Sequence, residues 1–204
     1  MSFMDEREKN ILEAAVVVFV RYGVKRTTMN DIASEAGIAR QTLYTVYANK
    51  DEVLRAAIRL HTDQALAAIE ADCAAAATLA DKLDSAFEHM VIRPFDMLHA
   101  LPHADDIITG FNAAARDELD SAGQRFRDAL ADVLAPYGKR LRAAGLSPRE
   151  LADVVGTAAK GFKRDAPDRK TLVALLASLK ALVLAVADGD GCRCGARSMA
   201  RDRA

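Results

Sequence analysis

The sequence has no tryptophan, and aromatic residues make up only 5% of its 204 positions. No Asn-Gly or Asp-Gly signal separates alternating segments, and β-branched clusters are few, which argues against a sheet protein. Cysteines number three, two of them (Cys192 and Cys194) close to the C-terminus. That is too few for a disulfide scaffold, so a reducing, cytoplasmic setting is expected. Charge of one sign is also missing: 28 basic residues face 29 acidic ones, for a net charge of −1. A uniformly basic nucleic-acid coat is thereby excluded, although a local basic patch is not. Long apolar runs are scarce. The most apolar stretch, 172–187, is interrupted by Lys180 and is shorter than the ~20 residues a membrane span needs, so no membrane partner is expected. Asp5, Glu6, Arg7, Glu8, Lys9 and Glu13 near the start argue against a secretory leader. What the sequence does have is a 51% hydrophobic content, ample for a packed core.

The pattern reads helical almost throughout. Ile11, Leu12, Ala15, Val16, Phe19 and Val20 recur at three- and four-residue spacing and predict a helix over about 5–22, closed by Gly23. Thr28 with Asp31 three residues later predicts the N-cap of a second, short helix ending at Gly37. A third covers about 40–47. Asn49 followed by Glu52 predicts a capping box opening a long fourth helix that runs to about Cys73. Further helices are expected over 79–92, where Pro94 ends or kinks the run, and over 104–111. A long amphipathic stretch over 116–144 is disturbed by Pro136 and closed by Gly145. Ser147-Pro148 with Glu150 starts the next helix, and the last is expected over 169–187. The tail, 189–204, has no apolar periodicity and is expected to be flexible.

Charge is uneven along this chain. Residues 21–50 hold Arg21, Lys25, Arg26, Arg40 and Lys50 against Asp31 and Glu35, whereas 51–188 hold 17 basic residues against 21 acidic ones. The basic window reads TTMNDIASEAGIARQTLYTVYANK over 27–50, two short helices joined by a tight turn at 35–38. Ile32, Ala36, Ile38, Leu43 and Tyr47 can share a small core, and Gly37 supplies the positive φ such a turn needs. Packing then leaves Arg40, Gln41, Tyr44 and Thr45 on the outer face of the second helix, with no carboxylate among them. A helix with such a face fits the DNA major groove. Thr27 and Thr28 at one helix N-terminus, and Lys50 at another, are placed to meet backbone phosphates.

In Thr27-Thr28, Asp31-Ile32-Ala33, Ala36-Gly37-Ile38, Thr42-Leu43-Tyr44, Tyr47 and Lys50, the sequence resembles the TetR family of bacterial transcriptional regulators. The resemblance covers about the first 60 residues. It implies an all-α fold: an N-terminal three-helix helix-turn-helix DNA-binding domain over 1–50, then a larger helical ligand-binding and dimerisation domain over 51–188. The candidate DNA-binding residues are Thr27, Thr28, Arg40, Gln41, Thr42, Tyr44, Thr45, Tyr47 and Lys50, Tyr47 being better suited to the core than to a contact. The sequence departs from the family pattern at Ala39, Gln41 and Val46, and Val46 is left outside the contact set. The partners implied are a pseudo-palindromic double-stranded DNA operator, a small-molecule effector and a second copy of the chain. A repressor released from its operator by that effector is the expected function. The alternative is a helical ligand-binding or enzymatic domain whose helix-turn-helix is purely structural.

Phe87, His89, Met90, Phe95, Met97, His99, Phe111 and Phe126 gather large apolar side chains around a few polar anchors and form the candidate ligand pocket, with ordinary core packing as the competing reading. Leu172, Leu175, Leu176, Leu179, Leu182, Val183 and Val186 surround more than one face of the last helix and form the candidate dimer interface. No cofactor or metal is expected: Pro102 spoils the face shared by His99 and His103, and Cys192-Arg-Cys194 is a weak signal. There is no glycine-rich phosphate loop and no G-x-S-x-G elbow, so no enzymatic activity is expected.

Overall fold

The computed structural model describes residues 6–99 and 113–188, and among these every regular element is a helix. In chain order they are α1 (Glu6–Tyr22), α2 (Met29–Glu35), α3 (Arg40–Val46), α4 (Lys50–Ala75), α5 (Leu79–Phe87) and α6 (Arg93–His99). Then follow α7 (Ala113–Leu134), α8 (Gly138–Ala143), α9 (Pro148–Asp165) and α10 (Arg169–Asp188). The helix expected over 104–111 and the tail over 189–204 lie outside the described residues.

Helix starts follow local chemistry. Thr28 and Ser147 cap α2 and α9 in reciprocal capping boxes with Asp31 and Glu150. Thr78 caps α5 by accepting from the Asp81 N–H. At α4 the arrangement differs from the expected box. Asn49 accepts from the Glu52 N–H, but the Glu52 carboxylate reaches one residue further back, to the Ala48 N–H at 2.9 Å.

Pro94 acts upstream of itself. It lies in the first turn of α6, and the helix before it widens into a π turn over Glu88–Ile92, with the Arg93 N–H bonded to the Glu88 carbonyl. A proline ring inside a helix clashes with the carbonyl four residues back, here that of Met90. Widening the preceding turn lets the chain run on from α5 into α6 instead of stopping.

Two apolar cores result. The first joins Ile11, Leu12, Phe19, Met29, Ile32, Leu43 and Tyr47 to Val53, Leu54 and Ala57 of α4. The second joins Ile69 at the far end of α4 to Leu83, Phe87 and Phe95, and to Leu130, Leu151, Val155, Leu172 and Leu176. The expected boundary at residue 50 is therefore too early, because α4 starts in one core and ends in the other. Leu98 of α6 and Ala115 of α7 also pack on the first core. The two cores are thus joined by helices and not by a loose linker.

The last helix is longer than its apolar run suggests. By length and composition alone, α10 could cross a membrane. In this fold it lays Leu172, Leu176, Leu179, Val183 and Ala187 into the second core, and its Lys180 pairs with Asp84 of α5 at 2.6 Å.

Candidate nucleic-acid interface

The turn between α2 and α3 is a Schellman closure. Gly37, at φ +66°, donates its N–H to the Ser34 carbonyl, and Ile38 donates to that of Ala33. Asn10 of α1 clamps the same corner by donating Nδ2 to the Ala36 carbonyl at 3.1 Å. Leu43 is fully buried, and it pins one side of α3 to the three-helix core. The opposite side of α3 therefore has to face outward. Arg40, Gln41, Tyr44, Thr45 and Val46 are all exposed there, Tyr44 at 42%, while Thr42 is half-buried.

The exposed face is ordered from within. Arg40 Nη2 donates to the Tyr44 hydroxyl at 3.2 Å, and its guanidinium carbon sits 5.3 Å from the Tyr44 ring centroid. Thr45 spends its hydroxyl on the Thr42 carbonyl at 2.6 Å. The first turn of α3 carries no acid, and Ala39 supplies no side-chain cap.

Four of the expected contact residues turn out to spend their polar groups within the chain, and two of them, Thr27 and Tyr47, are buried. Thr27 is 2% exposed, and its hydroxyl donates to the Gly23 carbonyl at 2.9 Å, which ties the loop to the end of α1. Tyr47 is 7% exposed, and its hydroxyl donates to Glu8 Oε1 at 2.8 Å, bridging α3 to α1. Burial first, then the neighbouring Glu8 carboxylate, pushes the Tyr47 phenol up from its ordinary pKa. Thr28 is exposed, but its hydroxyl donates to Asp31 Oδ2 at 2.7 Å and its N–H to the same oxygen at 2.8 Å. The carboxylate that an incoming phosphate would have to displace is already seated there. The Thr28 hydroxyl, and then its N–H, hold Asp31 below the usual carboxylate range.

Lys50 is the fourth. Its ammonium donates to the carbonyls of Val24 at 2.7 Å, Thr27 at 2.9 Å and Lys25 at 3.2 Å. An ammonium has three N–H donors, and all three are taken. Lys50 thus latches the α1–α2 loop onto the start of α4. In the sequence it looks like a free cation at a helix start, and only the fold reveals the carbonyls that surround it. The loop it holds carries exposed Lys25 and Arg26, neither of which was in the expected set. An open hollow of about 300 Å³ lies beside that loop, bounded by Arg21, Tyr22, Arg26 and Asp31.

The described residues of the expected ligand pocket divide between the second core and the surface. Phe87, Met90 and Phe95 are packed side by side in the second core, with Phe126 half-buried against it. His89 is buried, and its Nε2 lies 3.1 Å from Asp72 Oδ2, the same oxygen that accepts from the Ser85 hydroxyl at 2.7 Å. Met97 and His99 are exposed, the His99 ring stacking on Phe95 with centroids 3.7 Å apart. Phe111 lies outside the described residues. A second hollow lies between α1 and α4, bounded by Leu12, Val16, Leu60 and His61, away from the expected pocket.

The candidate dimer set splits by helical phase. Leu172, Leu176, Leu179 and Val183 are buried in the chain's own core, and Leu175 and Val186 are half-buried. Leu182 alone among the seven stands out, at 67% exposed. It belongs to an uncharged strip with Val173, Ala174, Ala177, Ala181 and Ala185, all exposed. Val154 (58% exposed) and Thr157 extend an exposed face along α9. The 4-3-4 spacing of Leu172, Leu176, Leu179 and Val183 already fixed the inward face, and counting from it would have identified the outward strip.

Comparison with known proteins agrees with this architecture. Residues 11–57 match the model of the tetR family of bacterial regulatory proteins. The HTH-type transcriptional regulator YfiR of Bacillus subtilis is 32% identical over 132 residues, which is 65% of this chain and 48% of that protein. The chain thus spans about half the length of that curated relative. Among solved structures, the transcriptional regulator FadR of Bacillus subtilis in complex with stearoyl-CoA superimposes with a TM-score of 0.62 at 22% identity, covering 89% of this chain and 98% of that one. A putative TetR-family transcriptional regulator from Rhodococcus sp. gives a TM-score of 0.62 at 20% identity, covering 87% and 98%. Those two likenesses establish the fold across both cores, and the match over 11–57 establishes the first domain. With the helix-turn-helix corner and the all-helical second core in place, residues 11–57 carry the N-terminal domain of the tetR family of bacterial regulatory proteins, and the rest of the chain shares the fold of regulators similar to it.

Proposed function

We propose that this chain is a homodimeric DNA-binding transcriptional regulator of the cytoplasm, a repressor whose hold on its operator is released by a small molecule. One observation carries the reading. The helix after Gly37 keeps a polar, carboxylate-free face (Arg40, Gln41, Tyr44 and Thr45) exposed on a rigid three-helix unit. A helix-turn-helix that served only as a structural corner would have no need to hold such a face out of its core. The width of an α-helix and these side chains suit the major groove. Contacts to the phosphates fall to the Lys25-Arg26 loop and not to Thr27, Thr28 and Lys50, whose donors are engaged within the chain.

A second copy is needed because two such helices must sit roughly 34–36 Å apart to enter successive major grooves. The outward strip of α9 and α10 supports a two-fold contact, Val154 and Thr157 on one helix facing Val173, Ala177, Ala181 and Leu182 on the other. Small side chains at these positions let paired helices approach closely. The effector acts by binding more tightly to the form whose recognition helices are wrongly spaced. FadR holds stearoyl-CoA, and this makes a long-chain acyl-CoA the first compound to assay.

The test is fluorescence anisotropy of the full chain on labelled DNA from upstream of its own gene, repeated across a salt series. Binding should be tight and fall steeply with salt, because phosphate neutralisation releases counterions. Acyl-CoA, or another effector identified by thermal-shift screening, should weaken it. Absence of any salt-dependent binding would leave the structural-corner reading instead.

A further inference from the structure

We propose that Arg40 reads a guanine in each operator half-site, and that Tyr44 is the positioning residue that holds its guanidinium for that purpose. The inference rests on the DNA-binding reading above and adds the base to which the recognition helix answers.

The geometry is that of a prepared fork. Arg40 and Tyr44 are one helical turn apart, the guanidinium donates once to the phenol at 3.2 Å, and its carbon lies 5.3 Å from the ring centroid. A guanidinium has five N–H donors in one plane. The bond to Tyr44 uses one of those on Nη2. The second on Nη2, the two on Nη1 and the one on Nε remain, and neighbouring donors among them make a parallel pair. Guanine offers O6 and N7 in the major groove as two acceptors at matching spacing, a pattern no other base presents there. Adenine offers an acceptor beside a donor, and the donor would meet the fork head-on.

Arg40 also differs from several other arginines of the described surface in having no carboxylate partner. Arg21 is spent on Glu35, Arg59 on Glu118, Arg125 on Asp63 and Arg169 on Asp96. Each of those would have to give up a carboxylate before taking another acceptor. Arg40 has a neutral aromatic partner, which restricts the side chain without neutralising it. Its place in the first turn of α3 is where recognition helices of this motif meet base edges. Restricting a long side chain before binding removes part of the ordering cost that a free arginine would incur at that point.

The experiment is selection of DNA sequences from a random pool by the full chain and by Arg40→Ala, Arg40→Lys, Tyr44→Phe and Tyr44→Ala, followed by affinity measurements on the best site across salt concentrations. The wild type should enrich a two-fold site with one guanine per half that Arg40→Ala no longer prefers, with affinity for the best site falling roughly tenfold to a hundredfold. Arg40→Lys keeps the charge but not the fork, so the salt slope should hold while the guanine preference fades. Tyr44→Phe keeps the ring and loses the hydroxyl, and should weaken preference at that same position and no other. Tyr44→Ala should weaken it further. If Arg40→Ala instead lowers affinity equally on every sequence and reduces the salt slope by about two, one for each protomer, Arg40 is a phosphate contact and the proposal is overturned. An unaltered preferred sequence in Arg40→Ala overturns it as well. A wild type that enriches nothing and shows no salt-dependent binding sinks the regulator reading itself, a distinct outcome.

Discussion

Replacing Lys50 by methionine keeps most of the aliphatic stem and deletes the ammonium. The three carbonyls it serves, those of Val24, Lys25 and Thr27, then lose a charged donor. Hydrogen bonds to charged groups contribute about 1.5–3 kcal/mol each where water is excluded. The bonds to Val24 and Thr27 are part-buried, whereas the one to Lys25 is exposed, so water replaces the last at little cost. Those two bonds therefore set the loss, at about 2–4 kcal/mol after partial rehydration. An opposing effect exists: a cation in the first turn of α4 is disfavoured by the helix dipole by about 0.3–1 kcal/mol, which its removal returns. The hydrogen bonds win, and a net loss of about 2–3 kcal/mol is expected, or a drop in Tm of roughly 5–10 °C for a chain of this size. Thermal and urea unfolding of the full chain, followed by circular dichroism, would measure it. The salt slope of DNA binding should not fall by the roughly two units that deleting one phosphate contact in each protomer produces. A Lys50→Met protein as stable as wild type, with a slope lower by about two, would refute the latch.

Three further outcomes are expected. Gly37→Ala forces a Cβ onto a backbone at φ +66° where nothing lies within 4 Å of it, so the loss is purely conformational, about 1–2 kcal/mol by urea unfolding. Asp31 has a folded pKa depressed by the Thr28 hydroxyl and N–H. Its stabilisation is therefore present above the unfolded value, near ~3.9, and disappears as pH falls through the lower folded value. Between about pH 4 and 2, wild type should lose more stability than Asp31→Asn, and parallel acid curves would count against the capping box. Leu182→Glu should give a folded monomer by sedimentation equilibrium, whereas Leu172→Ala should leave the dimer intact and cost about 2–5 kcal/mol of stability. The reverse pattern would return the interface to the inward face of α10.

What could be read from the sequence divides along physical lines. Helix boundaries from α1 to α5 were legible because their signals are local. Thr28 with Asp31 is a cap within one turn, and Gly23 and Gly37 both take positive φ where the pattern ends. The outward face of α3 was legible too, because Leu43 fixes its phase. Partners distant in sequence were not. Tyr47 and Glu8 lie 39 positions apart, and Lys50 and Val24 lie 26 apart, so the hydroxyl partner of Tyr47 was hidden and Lys50 looked like a free cation on a DNA-facing segment. In α10 the difficulty was composition. With alanine, leucine and valine on every side, residue type alone does not separate core from interface, and only the phase set by Leu172 and Leu176 does. The widened turn before Pro94 was likewise hidden, since a proline pattern reads the same whether the helix stops or relaxes.

Hydroxyl-radical footprinting of the full chain on DNA upstream of its own gene bears most directly on whether this fold is a two-headed reader of duplex DNA. We expect two protected patches related by a two-fold axis, their centres about one helical turn apart or a multiple of it, both lost in the Leu182→Glu monomer. A single unpaired patch, or protection that survives unchanged in the monomer, would contradict that account.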